Sequence, residues 1–126
     1  MITRLGSGGP WEDAYGYSRV VQAGPWVMTA GCTAVLDGAV QHVGDPFSQA
    51  SLAFRIALDA LAKAGASAAD VVRTRMYVVG AEHADAVGHA HGSVFGDVRP
   101  AATMVMVDRL VHPDMLVEVE VEAYRS

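Results

Sequence analysis

The sequence contains a single cysteine, Cys32, so no disulfide can form within the chain and no zinc site can be built from cysteines. Basic residues are also scarce: 9 lysines and arginines stand against 14 aspartates and glutamates, giving a net charge of −5 and a pI near 5.4. No basic cluster interrupts this balance. Because affinity for nucleic acid depends on neutralising phosphates, this composition argues against a nucleic-acid-binding surface.

Long apolar runs are missing as well. The first residues, Met1 to Gly6, lack the apolar run of a secretory signal, and no stretch approaches the length of a transmembrane helix. We therefore expect a cytoplasmic protein that does not bind membranes. The glycine-rich segment 6–9 is not followed by a helix with a Lys-Ser/Thr pair, so we predict a flexible segment and not a phosphate loop. The histidines lack the spacing of metal ligands, and no metal or cofactor is implied.

The rest of the amino-acid composition is typical of a folded domain. Apolar residues make up 52% of the chain and charged residues 18%, which excludes disorder. A length of 126 residues predicts one domain, spanning 1–126. The apolar fraction is high for so small a protein, so we expect copies of the chain to cover part of its surface.

Short runs rich in Val and aromatic residues predict strands, and stripes with a period near 3.6 predict helices. Residues 17–23 and 26–31 form a predicted hairpin. The first helix begins after Asp45, an N-cap, with Pro46 at its first position, and it ends at Gly65. The other predicted elements are a strand at 71–79, a helix at 82–95, and strands at 103–108 and 115–124.

The last predicted strand alternates most regularly. Its apolar face carries Val117, Val119, Val121 and Ala123, and its acidic face carries Glu118, Glu120 and Glu122. Adjacent carboxylates repel one another, and Arg73 and Arg75 are the candidate partners. The acidic face is either a solvated surface with ordinary ion pairs or a subunit interface. We expect an interface, because further apolar side chains are predicted to share this face: Tyr77, Met104, Met106 and Leu116.

Five motifs carry the most specific information in the chain. They are Gly16-Tyr17-Ser18, Val27-Met28-Thr29-Ala30-Gly31, Ala64-Gly65-Ala66-Ser67 before Asp70-Val71-Val72, Arg99-Pro100-Ala101-Ala102-Thr103, and Leu116-Val117-Glu118-Val119-Glu120. In their order and spacing they resemble the RidA/YjgF family of reactive intermediate deaminases. The chain resembles a divergent branch of that family more closely. The segments that carry this resemblance are Arg73-Thr74-Arg75-Met76-Tyr77-Val78, Gly88-His89-Ala90-His91-Gly92 and Arg99-Pro100-Ala101-Ala102-Thr103-Met104-Val105.

The resemblance implies an α+β fold of the RidA-like, or chorismate-mutase-like, type. In this fold a mixed six-stranded sheet carries two helices on one face. The resemblance also implies a homotrimer whose sheets face inward, with a cleft for a small molecule between each pair of subunits.

The family's site residues can be placed by the same motifs. Glu118 aligns with the carboxylate that positions water in deaminating members, and Tyr17 aligns with the tyrosine of the cleft. Other positions differ: the serine that contacts substrate is Ala30, the helix asparagine is Gly88, and the arginine that binds the substrate carboxylate is Ala102. A methyl group cannot replace a guanidinium fork, so we do not expect deamination of a 2-aminoacrylate-type intermediate by the family mechanism.

Three further residues each have two interpretations. Arg75 is either a substitute anion binder close to Glu118 or a structural ion-pair partner of a glutamate. His91 is either a hydrogen-bonded interior histidine or a general base. Cys32 is either a packed thiol or a reactive one beside the cleft. The complete candidate site has Glu118 as the catalytic residue and the following substrate-binding positions: Tyr17, Ala30, Gly31, Cys32, Arg75, Gly88, His91, Ala102 and Thr103.

These observations leave three functional hypotheses. The first is a hydrolase- or deaminase-like enzyme that acts on a small reactive imine, enamine or enol by water addition or proton transfer. The second is a non-catalytic trimer that binds a small molecule. The third, an endoribonuclease or translation inhibitor, is disfavoured by the acidic composition.

Overall fold

The structure, a computed structural model, describes residues 1–125, which form eight strands and three α-helices. The strands are β1 (Ile2–Leu5), β2 (Val20–Ala23), β3 (Trp26–Thr29), β4 (Val35–Leu36), β5 (Ala39–Val40), β6 (Val71–Val79), β7 (Ala101–Val107) and β8 (Val117–Tyr124). The helices are α1 (Pro10–Tyr15), α2 (Pro46–Lys63) and α3 (Ala84–Phe95), with short 3₁₀ turns at Ala68–Asp70 and Ala81–His83. None of the helices in residues 1–125 combines the length and hydrophobicity needed to cross a membrane.

Six strands form one mixed sheet in the order β1-β2-β3-β8-β6-β7, and β4 and β5 form a separate hairpin. Strand β6 runs parallel to β7 and antiparallel to β8. Helices α2 and α3 cover one face of the sheet, where they enclose a single apolar core with the inward side of β8. The predicted α+β architecture, a mixed six-stranded sheet with two helices on one face, is confirmed.

Local sequence determines where α2 begins and ends. Asp45 accepts a hydrogen bond from the backbone N–H of Ser48 at 3.1 Å, and Pro46 occupies the first helical position, where no N–H is needed. Beyond the last turn, Gly65 adopts a φ of 84°, a left-handed conformation that glycine reaches without strain. The predicted bounds of this helix are therefore confirmed.

A buried glutamine connects α2 to the start of β8. The side chain of Gln49 is fully buried, yet all its polar contacts are satisfied by backbone. Its Nε2 donates to the carbonyl oxygen of Asp114 at 2.8 Å, and its Oε1 accepts from the N–H of Leu116 at 2.9 Å. These bonds fix the turn that leads into β8 and so determine where the acidic face of that strand begins.

Two elements at the N-terminal end were not predicted from the sequence. Strand β1 is an edge strand of four largely exposed residues, so it shows no apolar alternation. Helix α1 has only six residues, too few to show a helical stripe, although Pro10 at its first position and two acidic residues in its first turn are typical start signals.

The predicted composition of the acidic sheet face is partly wrong. In the parallel pairing of β6 with β7, Met76 is opposite Met104 and Arg75 is opposite Thr103. Met104 therefore lies on the side covered by the helices, together with Met106, and the acidic face receives Thr103, Val105 and Val107 instead. Strand β7 is apolar at almost every position, so its sequence contains no period-2 signal that could orient it.

Candidate functional site

The segment 30–32 is held against β8 directly beside Glu118. The N–H of Cys32 donates to the carbonyl oxygen of Val119 at 2.8 Å, and the N–H of Val119 donates back to Cys32 at 2.9 Å. Side chains alternate along β8, so Val119 points into the core while Glu118 points to the acidic face. This pair of backbone bonds therefore fixes the segment next to a carboxylate.

Gly31 provides the space in which the carboxylate of Glu118 lies. A Cβ atom at position 31 would overlap Oε2 of Glu118 and would lie 2.8 Å from its Cδ atom. A residue with a side chain at position 31 would consequently displace the carboxylate. Glycine is required here for close approach, because the carboxylate occupies the volume of a side chain.

The carboxyl group of Glu118 is half-buried and receives no hydrogen bond from any group in residues 1–125. Burial raises its pKa above the ordinary value, and the charge of Glu120 raises it further, while the nearby guanidinium of Arg19 opposes the increase. A carboxyl group with a raised pKa can both donate and accept a proton closer to neutral pH than an ordinary one.

Arg19 is the cation of this site, and it was not among the residues predicted from the sequence. Its Nε lies 3.3 Å from Oε2 of Glu12, and its Nη1 donates to the carbonyl oxygen of Gly31 at 2.5 Å. Nη1 is also 3.7 Å from the sulfur of Cys32, and Nη2 is 3.4 Å from the hydroxyl of Tyr17. The guanidinium carbon lies 5.6 Å from the centroid of the Tyr17 ring, within range of a cation–π contact.

Glu12 fixes Arg19 from the interior side. Its side chain is 6% exposed and accepts hydrogen bonds from the N–H of Ser7 at 2.9 Å and from its hydroxyl at 2.5 Å. Burial acts to raise the pKa of Glu12, but the hydrogen bonds from Ser7 and Arg19 outweigh burial and hold the pKa below its ordinary value. The glycine-rich segment that was predicted to be flexible is therefore tied to a buried carboxylate.

Cys32 is a packed thiol in this structure. Its side chain is buried, and its sulfur donates to the carbonyl oxygen of Ala30 at 3.4 Å. Burial raises the pKa of the thiol, and the guanidinium of Arg19 offsets only part of this effect. A thiolate, the reactive form of cysteine, is thus disfavoured.

Arg75 belongs to a different cluster of the acidic face. Its Nη1 lies 2.6 Å from Oε1 of Glu122 and 3.8 Å from Oε1 of Glu120. The hydroxyl of Tyr77 donates to the same oxygen of Glu120 at 2.9 Å. Across the sheet Arg75 is opposite Glu120, while Glu118 is opposite Tyr77, so the expected approach of Arg75 to Glu118 is not observed. The structure shows the alternative, an ion pair between Arg75 and neighbouring glutamates.

His91 lies in the environment of a hydrogen-bonded interior histidine and not in that of a general base. Its Nε2 lies 2.7 Å from the hydroxyl of the buried Thr74, and its ring packs against Phe54 and Phe95. Burial lowers the pKa of His91, which favours the neutral ring. This is a hydrogen-bonded interior histidine.

The other predicted positions lie towards the β7 edge of the sheet. Ala102 pairs with Thr74 on the side covered by the helices, and a Cβ atom at Gly88 would lie 3.8 Å from Cε of Met104. Thr103 pairs with Arg75 on the acidic face. The single chain therefore does not gather all the predicted positions, and those it does gather surround Gly31.

We call the gathered residues the Gly31 notch: Tyr17, Arg19, Gly31, Cys32 and Glu118. Arg19, a member of the notch, and Glu12, which holds Arg19 in place, had only weak signals in the sequence. Arg19 is a charged residue immediately before the apolar run of β2, and Glu12 follows the Pro10 start signal of α1. Neither position shows a partner at a sequence spacing that could have revealed the ion pair.

The fold and this notch define a class: an α+β domain with a mixed sheet, two covering helices and a carboxylate beside a glycine. A family model described as Endoribonuclease L-PSP matches residues 11–125. The chain therefore belongs to this family, also known as the YjgF/RidA family.

Individual relatives agree with this assignment. A protein of Streptomyces coelicolor is 41% identical over 125 residues, which are 99% of this chain and 93% of the relative. A RutC family protein of Pyrococcus abyssi is 29% identical over 87% of each chain. A solved structure from Mycobacterium tuberculosis, described as a member of the YjgF/YER057c/UK114 family, is 43% identical. It covers 98% of this chain and 99% of its own, with a TM-score of 0.89.

Proposed function

We propose that this chain is a hydrolase- or deaminase-like enzyme that acts on a small reactive imine, enamine or enol in the Gly31 notch. The observation that supports it most strongly is the carboxyl group of Glu118, which is half-buried, has a raised pKa and lacks a hydrogen-bond donor in the described chain. A partly desolvated carboxyl group without a structural partner is suited to proton transfer.

The proposed reaction on an imine begins with the protonated form of Glu118. Its proton passes to the imine nitrogen, and the resulting carboxylate accepts a proton from water as the water oxygen bonds to the imine carbon. Glu118 then returns a proton to nitrogen, the carbon–nitrogen bond breaks, and the hydroxyl proton passes to Glu118. The sum is imine plus water giving a carbonyl compound plus ammonia. An enamine enters the same sequence when its carbon, rather than nitrogen, takes the first proton.

A second function, non-catalytic binding of a small molecule, is favoured by particular residues. Ala30, Gly88 and Ala102 present no polar side chain where the deaminating relatives resembled by the sequence have serine, asparagine and arginine. Such a protein would retain the notch and its ligand but would not turn the ligand over. The name of the matched family model suggests a ribonuclease, and the net charge of −5 argues against that activity.

We further propose that the functional unit is a homotrimer. Several large apolar side chains are exposed on the isolated chain: Ile2, Trp26, Met28, Val105, Met106 and Tyr124. Exposed apolar residues in such number are typical of surfaces that associate. Light scattering coupled to size-exclusion chromatography, with an expected mass of three chains, tests this assignment.

The enzymatic proposal is tested by release of ammonia and carbonyl product from freshly generated imines, measured above the spontaneous rate. Glu118→Gln removes the proton-transfer group with little change in shape, and we expect a loss of at least 100-fold, as for loss of a general acid–base. Glu122→Gln is the matched control, on the same face of the same strand, and we expect it to retain activity because Arg75 keeps Glu120 as a partner. Unchanged turnover in Glu118→Gln would exclude the mechanism; absence of turnover in the wild type would favour the binding function.

A further inference from the structure

We propose that Tyr77 is a positioning residue for the proton chemistry of Glu118: by donating its hydroxyl to Glu120, it fixes Glu120 as the anion of the pair and leaves the proton on Glu118. This assignment rests on the proposed function, because it concerns how the same site keeps its proton. Tyr77 does not contact the substrate in this assignment. Its effect reaches Glu118 through the neighbouring carboxylate.

The hydrogen-bond donors of β6 are displaced by one residue pair along β8. Tyr77 lies directly opposite Glu118, yet its hydroxyl donates to Oε1 of Glu120 at 2.9 Å. Arg75 lies directly opposite Glu120, yet its Nη1 is closest to Oε1 of Glu122, at 2.6 Å. Both side chains therefore lean towards the C-terminal end of β8. Of the three glutamates on this face, Glu118 is the one that receives no donor within residues 1–125.

Glu120 is the carboxylate to which both donors of β6 are directed. Its Oε1 accepts the hydroxyl proton of Tyr77 and also lies 3.8 Å from Nη1 of Arg75. A hydroxyl group bonds a charged carboxylate more strongly than a neutral one, so this contact favours a negative charge on Glu120. The same hydrogen bond raises the pKa of Tyr77 above its ordinary value, and the hydroxyl therefore remains a donor.

The groups that face Glu118 from the neighbouring elements do not take its proton. Burial raises the pKa of Glu118, the charge of Glu120 on the same strand raises it further, and the guanidinium of Arg19 opposes the increase. Segment 30–32 contributes the thiol of Cys32, whose own pKa is raised by burial. Strand β6 contributes Tyr77, whose hydroxyl is turned to Glu120. The proton of the carboxyl pair therefore stays on Glu118.

Loss of the Tyr77 hydroxyl allows the two carboxyl groups to share this proton. Glu118 and Glu120 are about 7 Å apart along one strand face, a span that two glutamate side chains can bridge. Without its donor the doubly ionised pair is less stable, so the pair keeps its last proton to higher pH, and that proton is divided between two sites. Glu118 then carries the proton in only part of the molecules.

Tyr77→Phe tests the assignment by removing one oxygen atom, and Tyr124→Phe is its matched control. Tyr124 lies on the same face at the end of β8, where its ring packs edge-on against Trp26. With a freshly generated imine as substrate, we expect Tyr77→Phe to lower the maximal kcat by about 3- to 10-fold and to move the alkaline limb of the pH profile to higher pH. Tyr124→Phe should match the wild type. A lower kcat without movement of that limb would show that Tyr77 acts structurally and would overturn the assignment.

The double variant Tyr77→Phe/Glu120→Gln distinguishes an effect through Glu120 from a direct effect on Glu118. In Glu120→Gln alone, the charge beside Glu118 is gone and the alkaline limb should move to lower pH. If Tyr77 acts through Glu120, the double variant should keep the limb where Glu120→Gln alone places it. A further movement of the limb in the double variant would mean that Tyr77 acts on Glu118 directly, contrary to the assignment.

Carbon-13 NMR of the glutamate carboxyl carbons reports the position of the proton whether or not the protein is an enzyme. In Tyr77→Phe the carboxyl of Glu118 should titrate at higher pH than in the wild type, and part of the titration amplitude should appear on Glu120. If the wild type shows no turnover but this change occurs, the catalytic proposal fails and this assignment stands. If turnover requires Glu118 but Tyr77→Phe leaves both titrations unchanged, the reverse holds. Absence of turnover together with unchanged titrations overturns both.

Discussion

Arg19 and Glu118 meet at one residue without forming an ion pair: Arg19 donates to the carbonyl oxygen of Gly31, and the carboxylate of Glu118 occupies the place of the Gly31 side chain. The backbone of Gly31 thereby holds Arg19, and its missing side chain leaves the space in which Glu118 lies. An ion pair would satisfy both groups and leave neither for a ligand. The glycine keeps them close but separate.

Gly31→Ala should abolish this arrangement with little effect on the fold. The new methyl group would overlap the end of a flexible side chain, so the carboxylate rotates away while the backbone bonds of Cys32 to Val119 remain. We expect a melting temperature within a few degrees of the wild type, and turnover or ligand affinity reduced by at least 10-fold.

The control for that variant is Gly92→Ala. Nothing lies within 4 Å of a Cβ atom at Gly92, which is inside α3, so the change should increase stability by about 0.5–1 kcal/mol through helix propensity. Activity should be unchanged. If both alanine variants lose activity equally, the steric argument about Gly31 is wrong.

Glu118→Gln should change the pH dependence of stability as well as activity. The folded-state pKa of Glu118 is raised, so its contribution to stability is fully present at pH values below its unfolded pKa, whose ordinary value is 4.5. That contribution is lost as pH rises through the folded pKa. The variant, which cannot ionise, should therefore melt at a higher temperature than the wild type at pH 8, and the difference should shrink near pH 4.

Thermal unfolding followed by circular dichroism across this pH range measures the difference. Glu120→Gln gives an independent check, because removing the charge of Glu120 lowers the pKa of Glu118. In that variant the pH at which stability declines, and the alkaline limb of the activity profile, where Glu118 loses its proton, should both move to lower pH. A shift to higher pH would contradict the assigned cause.

The sequence was sufficient to predict the elements that bury a regular apolar face. The alternation of β8, the stripe of α2 and the cap at Asp45 follow directly from side-chain chemistry within a few residues. The family motif in β8 also led to Glu118 as the candidate catalytic residue, a role that stays a prediction. In each case the residues that determine the prediction lie within a few positions of one another in the chain.

The cation of the site could not be predicted in the same way. Arg19 is 99 residues away from Glu118 in the sequence, and the two come together through the pairing of β2 with β3, of β3 with β8 and of segment 30–32 with β8. Arg75 was chosen instead because its strand is next to β8, but the register places it opposite Glu120. Register and side-chain direction depend on the assembled sheet, and a shift of two residues along a strand changes the partner.

Gln49→Leu tests how much the entry to β8 contributes to the stability of the fold. The variant keeps the approximate volume but leaves the part-buried N–H of Leu116 and carbonyl oxygen of Asp114 without these partners. We expect a loss of about 1–3 kcal/mol in the free energy of unfolding, because two part-buried backbone groups lose their hydrogen bonds. Urea denaturation measures it. Gln22→Leu, whose hydrogen bond is exposed, should change stability by less than about 0.5 kcal/mol.

Glu12→Gln tests whether the N-terminal segment is tied down by charge. Glu12 accepts from Ser7 and Arg19, and its folded-state pKa is lowered, so its contribution to stability is present above the ordinary pKa of 4.5 and is lost as pH falls through the folded value. At pH 7 we expect the variant to lose about 1–3 kcal/mol, the cost of weakening hydrogen bonds to a charged group. At pH 3 the difference in unfolding free energy from the wild type should be smaller.

Urea unfolding at the two pH values measures both differences, and hydrogen exchange at the Ser7 N–H should be faster in the variant. A difference that grows towards low pH would mean that Glu12 is neutral in the folded protein and that Arg19 is fixed by other contacts.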